Sequence, residues 1–485
     1  GIQAPPTAGF GLVNSAPENV DGSRRLAQCL LIETIILVFG WSVSRRHRES
    51  FDKWVRELLV VWDFGASLPE GILVTSLHFD MKMKLFSPWD LFPQSLPVSS
   101  AVPPGMLLDE LIIPNTDLVS LRYYAGVCCR AGLPMFLSGP AGSGKTTARK
   151  FACDFWHKRN HDTCMRISRS ATASSISADV LASLKRRRKD VFGPSLGSVS
   201  NIWIEDVHIA PSAFISSFLK CWAQYKGWWS CSTKRWTVVE DASFVATYSS
   251  GISANHGAMR RLEASCALVD WSGPSDMDDL RVTIGGVLNN LLHSNGTSLR
   301  DGQILQDISS VVAASFVAVS TSASSDVNGN TLFQISLHDV WNSLVCIPFV
   351  LAPLGNPGLA PESLPDVIQS VLLGVLHELY RVFGDRLQTW SAREDMAKVL
   401  EATARTIFPF AEVSAKRISE AIYAPGKFGG KQDDAYGFVS DIAYGLEQAR
   451  HDLNKYYVDH PDAGQLLLTE GNLRIVLGLM RNRVR

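Results

Sequence analysis

The run Gly139-Pro140-Ala141-Gly142-Ser143-Gly144-Lys145-Thr146 has the spacing GxxxxGK[ST], the strongest chemical signal in the chain. Glycines let successive backbone N–H groups converge on phosphate oxygens, and the positive end of the following helix adds to the attraction. In such a loop Lys145 reaches the β- and γ-phosphates and the Thr146 hydroxyl binds Mg²⁺, with Thr147 next on the same helix. The context fits: an apolar run, Pro134–Leu137, precedes the glycines and helical spacing over Lys145–His157 follows. The pattern predicts a site for a nucleoside triphosphate or diphosphate.

A loop of this kind needs an acidic partner at the end of a neighbouring strand, for the metal and the attacking water. Asn201-Ile202-Trp203-Ile204-Glu205-Asp206 is the candidate: an apolar run ending in two carboxylates. Glu205 falls at the metal position and Asp206 at the base position, the reverse of the usual order of a shorter then a longer acid. Each carboxylate is then displaced by about a C–C bond, and a misplacement of about 1 Å can cost about 10²-fold in rate.

The elements that would position these groups are legible in outline. Helical spacing runs from Arg25 to about Leu59, and short alternating pieces between Ile72 and Leu91 suit a β-hairpin. A Pro/Ser-rich connector spans Pro93–Gly105, and a helix is predicted over Val119–Ala131. Apolar runs at Ile202–Ile204 and Ser243–Thr247 read as buried strands. Strands alternating with helices indicate a parallel sheet in an α/β layer. After about Asp278 the pattern turns helical, at Gln303–Val319, His338–Val350 and Leu364–Leu387, with a loop at Ser322–Asn330. The first 25 residues, rich in Gly, Pro, Ala and Ser, read as loop or disorder.

Composition narrows the function classes. With 485 residues, 46% hydrophobic and 19% charged, the chain can bury several cores, and a net charge of −1 argues against duplex nucleic acid or an anionic membrane as partner. The apolar stretch Cys29–Val43 is interrupted by Glu33 and too short to span a bilayer. Nine cysteines without a CxxC pair encode neither a zinc site nor a disulfide scaffold. The basic runs Lys185–Lys189 and Arg45–Arg48 read as solvated helix ends, and Trp228, Trp229 and Trp236 as core or interface residues. His208 reads as structural. The start at Gly1 and the end within a helical pattern suggest a piece of a longer protein.

Taken in order, LKRRRKDVFGPSLG (184–197), IWIEDVHIAP (202–211), KGWWS (226–230) and FVATYSSG (244–251) resemble the third AAA+ module of dynein heavy chains, closer to the axonemal than the cytoplasmic branch. The segment 31–59 resembles the end of the second module, and the tail AGQLLLTEGNLRIVLGLMRNRVR the approach to the fourth. The resemblance implies an AAA+ P-loop fold, a parallel sheet between helices followed by a helical subdomain, with flanking helical and hairpin pieces. The implied boundaries are 26–105 for the preceding module's end, 106–280 for the large subdomain, 281–455 for the helical subdomain and 456–485 for the next module. It implies ATP or ADP with Mg²⁺, bound by Gly139 through Thr147, with Ile112, Ile113 and Pro114 flanking the adenine. Thr146 and Glu205 would hold the metal, and Asp206 with Glu205 would be catalytic. Arg260 would serve the neighbouring module's nucleotide, unless it is an ordinary surface arginine.

The chain departs from the family pattern at the inverted carboxylates. It also has Ser249 after the strand that senses the γ-phosphate, Leu373 at the lid arginine and His338 at another arginine. These departures leave nucleotide binding intact and predict slow, regulatory hydrolysis. The implied partners are neighbouring modules of the same longer chain, accessory chains, and a microtubule through parts not in this sequence, in an axoneme or alternatively the cytoplasm. Two competing functions remain: a nucleotide-stabilised structural ring module without turnover, and a free-standing AAA+ remodelling ATPase.

Overall fold

A computed structural model describes residues 17–62, 68–89, 111–156, 160–210, 213–230, 233–249, 256–273, 277–294, 302–323, 335–351, 354, 364–384, 387, 389–421, 423–425, 436–438 and 442–459. Residues 1–16, the connector at 93–105, most of the loop at 322–330 and the tail from 460 lie outside them. The chain divides into two compact units. The first holds Gly1–Ser95, Thr116–Gly139 and Ala148–Ser272; the second holds Leu96–Asn115, Pro140–Thr147 and Gly273–Arg485.

The first unit begins with helix α1 (Pro17–Ile35), which passes through a π turn (Ile36–Gly40), and α2 (Arg48–Val61). The helix thus starts at Pro17, inside the stretch expected to be loop: proline is at home in the first turn of a helix, where its missing N–H has no partner to lose. The hairpin of β1 (Leu77–Asp80) and β2 (Leu85–Pro88) packs Phe79 and Phe86 with Ile32, Ile36 and Val55 in one cluster. Buried Glu33 fixes the join: its Oε1 accepts the Phe79 N–H at 3.4 Å and the Tyr123 hydroxyl at 3.2 Å. Arg45 pairs with Asp117, and Trp41 stacks on Trp271 at 6.5 Å.

There follow α3 (Thr116–Arg130), β3 (Met135–Gly139), α4 (Lys145–Trp156), β4 (Asn160–Arg166), α5 (Ala173–Ala182), β5 (Lys185–Arg188), β6 (Val191–Gly193), β7 (Val199–Glu205), α6 (Ala213–Tyr225), β8 (Gly227–Ser230), β9 (Arg235–Val239), β10 (Ala242–Ser249), α7 (His256–Glu263) and β11 (Ala267–Asp270). Five strands form a parallel sheet in the order β11-β3-β10-β7-β4, the doubly wound α/β layer predicted from the sequence. Met135, Phe136 and Leu137 are fully buried and β10 is buried throughout, as continuous apolar strands covered on both faces must be. Burying Phe136 and Phe244 contributes about 1.5–3 kcal/mol each.

One expectation fails here. The basic run 185–188 is strand β5, at the edge of a second sheet ordered β5-β6-β9-β8. Arg187 Nη1 reaches Asp241 Oδ2 at 2.5 Å and Arg188 Nη2 reaches Glu240 Oε1 at 2.6 Å. Acids just after β9 thus neutralise a strand that its propensity disfavours, and charge at an edge also discourages foreign strand pairing. Trp228 is buried against Trp222 and Phe218, whereas Trp229 is exposed.

The second unit is helical: α8 (Met277–Ser294), α9 (Gly302–Ala323), α10 (Leu337–Leu344), α11 (Ile347–Leu351), α12 (Leu364–Gly384), α13 (Trp390–Ile407), α14 (Ala415–Glu420), the antiparallel pair β12 (Tyr423–Pro425) and β13 (Tyr436–Phe438), then α15 (Ile442–Asp459). The single helix expected over His338–Val350 is two, because Pro348 has no N–H for Leu344 and its ring crowds that carbonyl. Leu280, Ile284, Val311, Val340, Leu376 and Phe383 are among the residues of its core.

Candidate functional site: a phosphate loop and an arginine-held carboxylate

The phosphate loop belongs to the second unit and leaves the end of β3 at buried Gly139. Gly142 and Gly144 have φ of +73° and +86°, conformations that residues with a Cβ rarely adopt, so the glycines are required by backbone shape. A Cβ on Gly142 would stand 2.6 Å from the Ser336 side chain and 3.5 Å from His338 Cβ. Ser336 opens α10, its N–H and hydroxyl both donating to Asp339 Oδ2 at 2.8 Å. Gly273, at φ +79°, leaves no room for a Cβ against the Ser143 carbonyl, 2.7 Å away. Around Gly144, by contrast, nothing lies within 4 Å of an added Cβ.

Lys145, at the first turn of α4, is 8% exposed and its Nζ donates to the Pro140 carbonyl at 2.6 Å. Its ammonium is therefore folded over the loop, where a phosphate would compete for it. Ser143 is buried, Thr146 exposed, and Pro140 and Thr147 half-buried; Ala141 is exposed. Left-handed glycines alternating with ordinary residues turn backbone N–H groups into an anion-binding concavity, and these residues fit a phosphate group.

Of the segment expected to flank adenine, Ile113 packs into the helical core, its Cδ1 2.5 Å from where a Gly286 Cβ would stand, while Ile112 and Pro114 are half-buried. His338 is exposed one residue into α10. Leu373 lines a cavity of about 380 Å³ with Asp366, Arg417 and Tyr423 on the same helical unit; no phosphate-loop residue lines it.

The carboxylates belong to the first unit. Glu205 ends β7 and is 3% exposed. Arg149 Nε donates to its Oε1 at 2.9 Å, and Arg166 donates to its Oε2 from Nη2 at 3.0 Å and from Nε at 3.3 Å. Hydrogen bonding and the charge of Glu205 push the Arg166 guanidinium above its ordinary pKa. Asp206 leaves the strand in a left-handed conformation, φ +61° and ψ +42°, a region Asp tolerates better than most residues. Its N–H donates to Thr247 Oγ1 at 3.0 Å, and its Oδ2 lies 4.0 Å from Arg166 Nε. His208 Nδ1 accepts the Ser249 N–H at 3.3 Å and the ring meets Tyr248 edge-on, so this histidine ties the end of β10 to the turn after β7. Arg260 sits on the exposed side of α7, with Met259 and Leu262 on the buried side.

Sequence reasoning missed both arginines. Arg149 follows Lys145 by one turn of α4 and so shares its face. Arg166 ends β4 directly opposite Glu205 in the ladder, but β4 itself, NHDTCMR, has no apolar run to announce it.

Comparison with known proteins agrees with the loop's geometry. Residues 100–270 match the family described as the P-loop containing dynein motor region. The chain is 22% identical over 404 residues to the mouse (Mus musculus) dynein axonemal heavy chain 2, covering 81% of this chain and 8% of that one. It is likewise 22% identical over 391 residues to the human (Homo sapiens) dynein axonemal heavy chain 2, covering 77% and 8%. With human dynein axonemal heavy chain 3 it shares 22% identity over 194 residues, 38% of this chain and 5% of that one. This chain thus spans less than a tenth of the length of these relatives, and it is to the P-loop motor region of axonemal dynein heavy chains that it is similar.

Proposed function

We propose that this chain is an ATP- or ADP-binding AAA+ segment of a dynein-type heavy chain, a microtubule-based motor, and specifically its third module. The observation that carries the reading is the phosphate loop: two left-handed glycines and a buried Lys145 at a helix start, inside the stretch that matches dynein motor regions. Gly139 through Thr147 would cradle the phosphates, and Ile112 and Pro114 would flank the adenine with Ile113 packed behind them. The segment 106–280 would be the large subdomain and 281–455 the helical one, with 26–105 and 456–485 belonging to the modules on either side. Arg260 would reach the nucleotide of the neighbouring module. Partners would be those modules and the accessory chains of an axonemal motor, and the nucleotide's role regulatory.

Hydrolysis needs a placed carboxylate and a charge-stabilising cation. Asp206 would be the base, and Glu205 beside it is held by two arginines. The same pairing favours a second reading, in which bound nucleotide holds the fold without turnover. The test is equilibrium binding of a fluorescent ATP analogue with single-turnover hydrolysis. Lys145→Ala should abolish binding and Asp206→Asn should change turnover little. Binding retained in Lys145→Ala refutes the site, and turnover of about 1 s⁻¹ or faster, within the range typical of enzymes, refutes slow hydrolysis.

A further inference from the structure

The smaller sheet, β5-β6-β9-β8, buries one face and leaves the other open. Trp228 and Val239 are buried in the core of the first unit, and Phe192, beside Val239 in the ladder, packs against it. Side chains alternate along a strand, so the residues between these point the other way. Trp229 and Trp236, directly opposite each other in the ladder, are 60% and 39% exposed. Tyr225, exposed just before β8, meets Trp236 edge-on at 6.4 Å. Val238, Val191 and Arg188, aligned in register, carry the same face to the β5 edge. Three large aromatic rings grouped on one outer face mark a surface that gains by being covered.

The charge around these rings selects the occupant. Residues 185–193 and 226–241, which build the sheet, carry eight cations and three acids, a net charge of +5 in a chain whose total is −1. All three acids are engaged: Asp241 by Arg187 at 2.5 Å, Glu240 by Arg188 at 2.6 Å and Asp190 by Arg235 at 3.7 Å. Lys189 and Lys234 are exposed and make no ion pair among the described residues. Lys234 lies in the turn between β8 and β9, beside the two tryptophans, and Lys189 in the turn between β5 and β6, on the other side of β9 from Trp229. A second copy of this face is disfavoured by like charge. A nucleic-acid strand could stack on the rings, but the three carboxylates within the sheet oppose phosphates, whose binding scales with the cations free to neutralise them. Carboxylates are what the guanidinium groups of this sheet already hold. We propose that this face docks an acidic segment of a partner polypeptide, with carboxylates on Lys189 and Lys234 and an apolar side chain against Trp229 and Trp236.

The test is an anisotropy titration of the 485-residue chain against a fluorescein-labelled peptide of Glu-Glu-Phe repeats. Beside it run the same peptide with Gln in place of Glu and a labelled oligothymidylate. The Glu peptide should bind at least about tenfold more tightly than the Gln peptide, a difference of about 1.4 kcal/mol, and added salt should weaken it. Trp229→Ala, and Lys189→Glu combined with Lys234→Glu, change only exposed side chains, so both variants should melt as the wild type does. Each should lose about tenfold or more in affinity for the Glu peptide. Equal binding of the two peptides, or an affinity unchanged in either variant, overturns the proposal. Tighter binding of oligothymidylate than of the Glu peptide overturns it in favour of a nucleic-acid surface, and no binding of the Glu peptide overturns it outright.

Discussion

Replacing Arg149 with Met keeps the length and apolar stem of the side chain and deletes its guanidinium. Glu205 keeps only Arg166, whose side chain is 68% exposed against 19% for Arg149. Breaking a buried ion pair by removing one partner costs about 3–5 kcal/mol when the charge left behind has nothing else. With Arg166 still bonded, the loss should be smaller, about 2–3 kcal/mol, the scale of one hydrogen bond to a charged group plus partial desolvation. Arg166→Met removes the solvent-screened partner and should cost about 0.5–1 kcal/mol. The double variant should lose more than the sum, since the second deletion strands a buried charge, and adding Glu205→Gln should recover part of that loss. Urea unfolding followed by tryptophan fluorescence, with calorimetry of thermal unfolding beside it, gives the four differences from wild type. Equal losses for the two single variants, or a double variant that is merely additive, would refute the argument that Glu205 depends on both.

Two glycines and one buried acid supply further tests. Gly142→Ala and Gly144→Ala both force a side chain into the left-handed region, at about 1–2 kcal/mol each, but only Gly142→Ala also collides with Ser336, so it should lose more in melting temperature and in nucleotide affinity. Burial holds the Glu33 carboxyl above its ordinary pKa, outweighing its hydrogen bonds from Phe79 and Tyr123. A carboxyl raised on folding contributes stability fully present below its unfolded pKa and lost as pH rises through the folded value. Glu33→Gln should therefore raise the melting temperature at neutral pH more than at mildly acidic pH; an equal shift at both would show that Glu33 does not carry this dependence.

Which parts of the fold could be read in the sequence follows from burial. The strands β3, β7 and β10 are apolar because both faces of the sheet are covered, and that run of residues is visible in one dimension. β4 lies at the sheet edge and β5 at the edge of the smaller sheet, where a polar or charged strand is tolerated, so NHDTCMR and KRRR give no strand signal. The split between α10 and α11 was written in Pro348 but hidden by an apolar pattern that runs straight through it.

The phosphate loop was determined by the sequence alone, because backbone shape and lysine placement are local: Gly142, Gly144 and Lys145 do their work within a few bonds of one another. The state of Glu205 was not. Its partners Arg149 and Arg166 lie 56 and 39 residues before it in the chain and reach it only because β4 pairs with β7 and α4 brings Arg149 to the end of that strand. The sequence named the carboxylate; only the tertiary structure decided that two arginines hold it, because an ion pair in a buried site depends on which side chains the fold brings within hydrogen-bond reach.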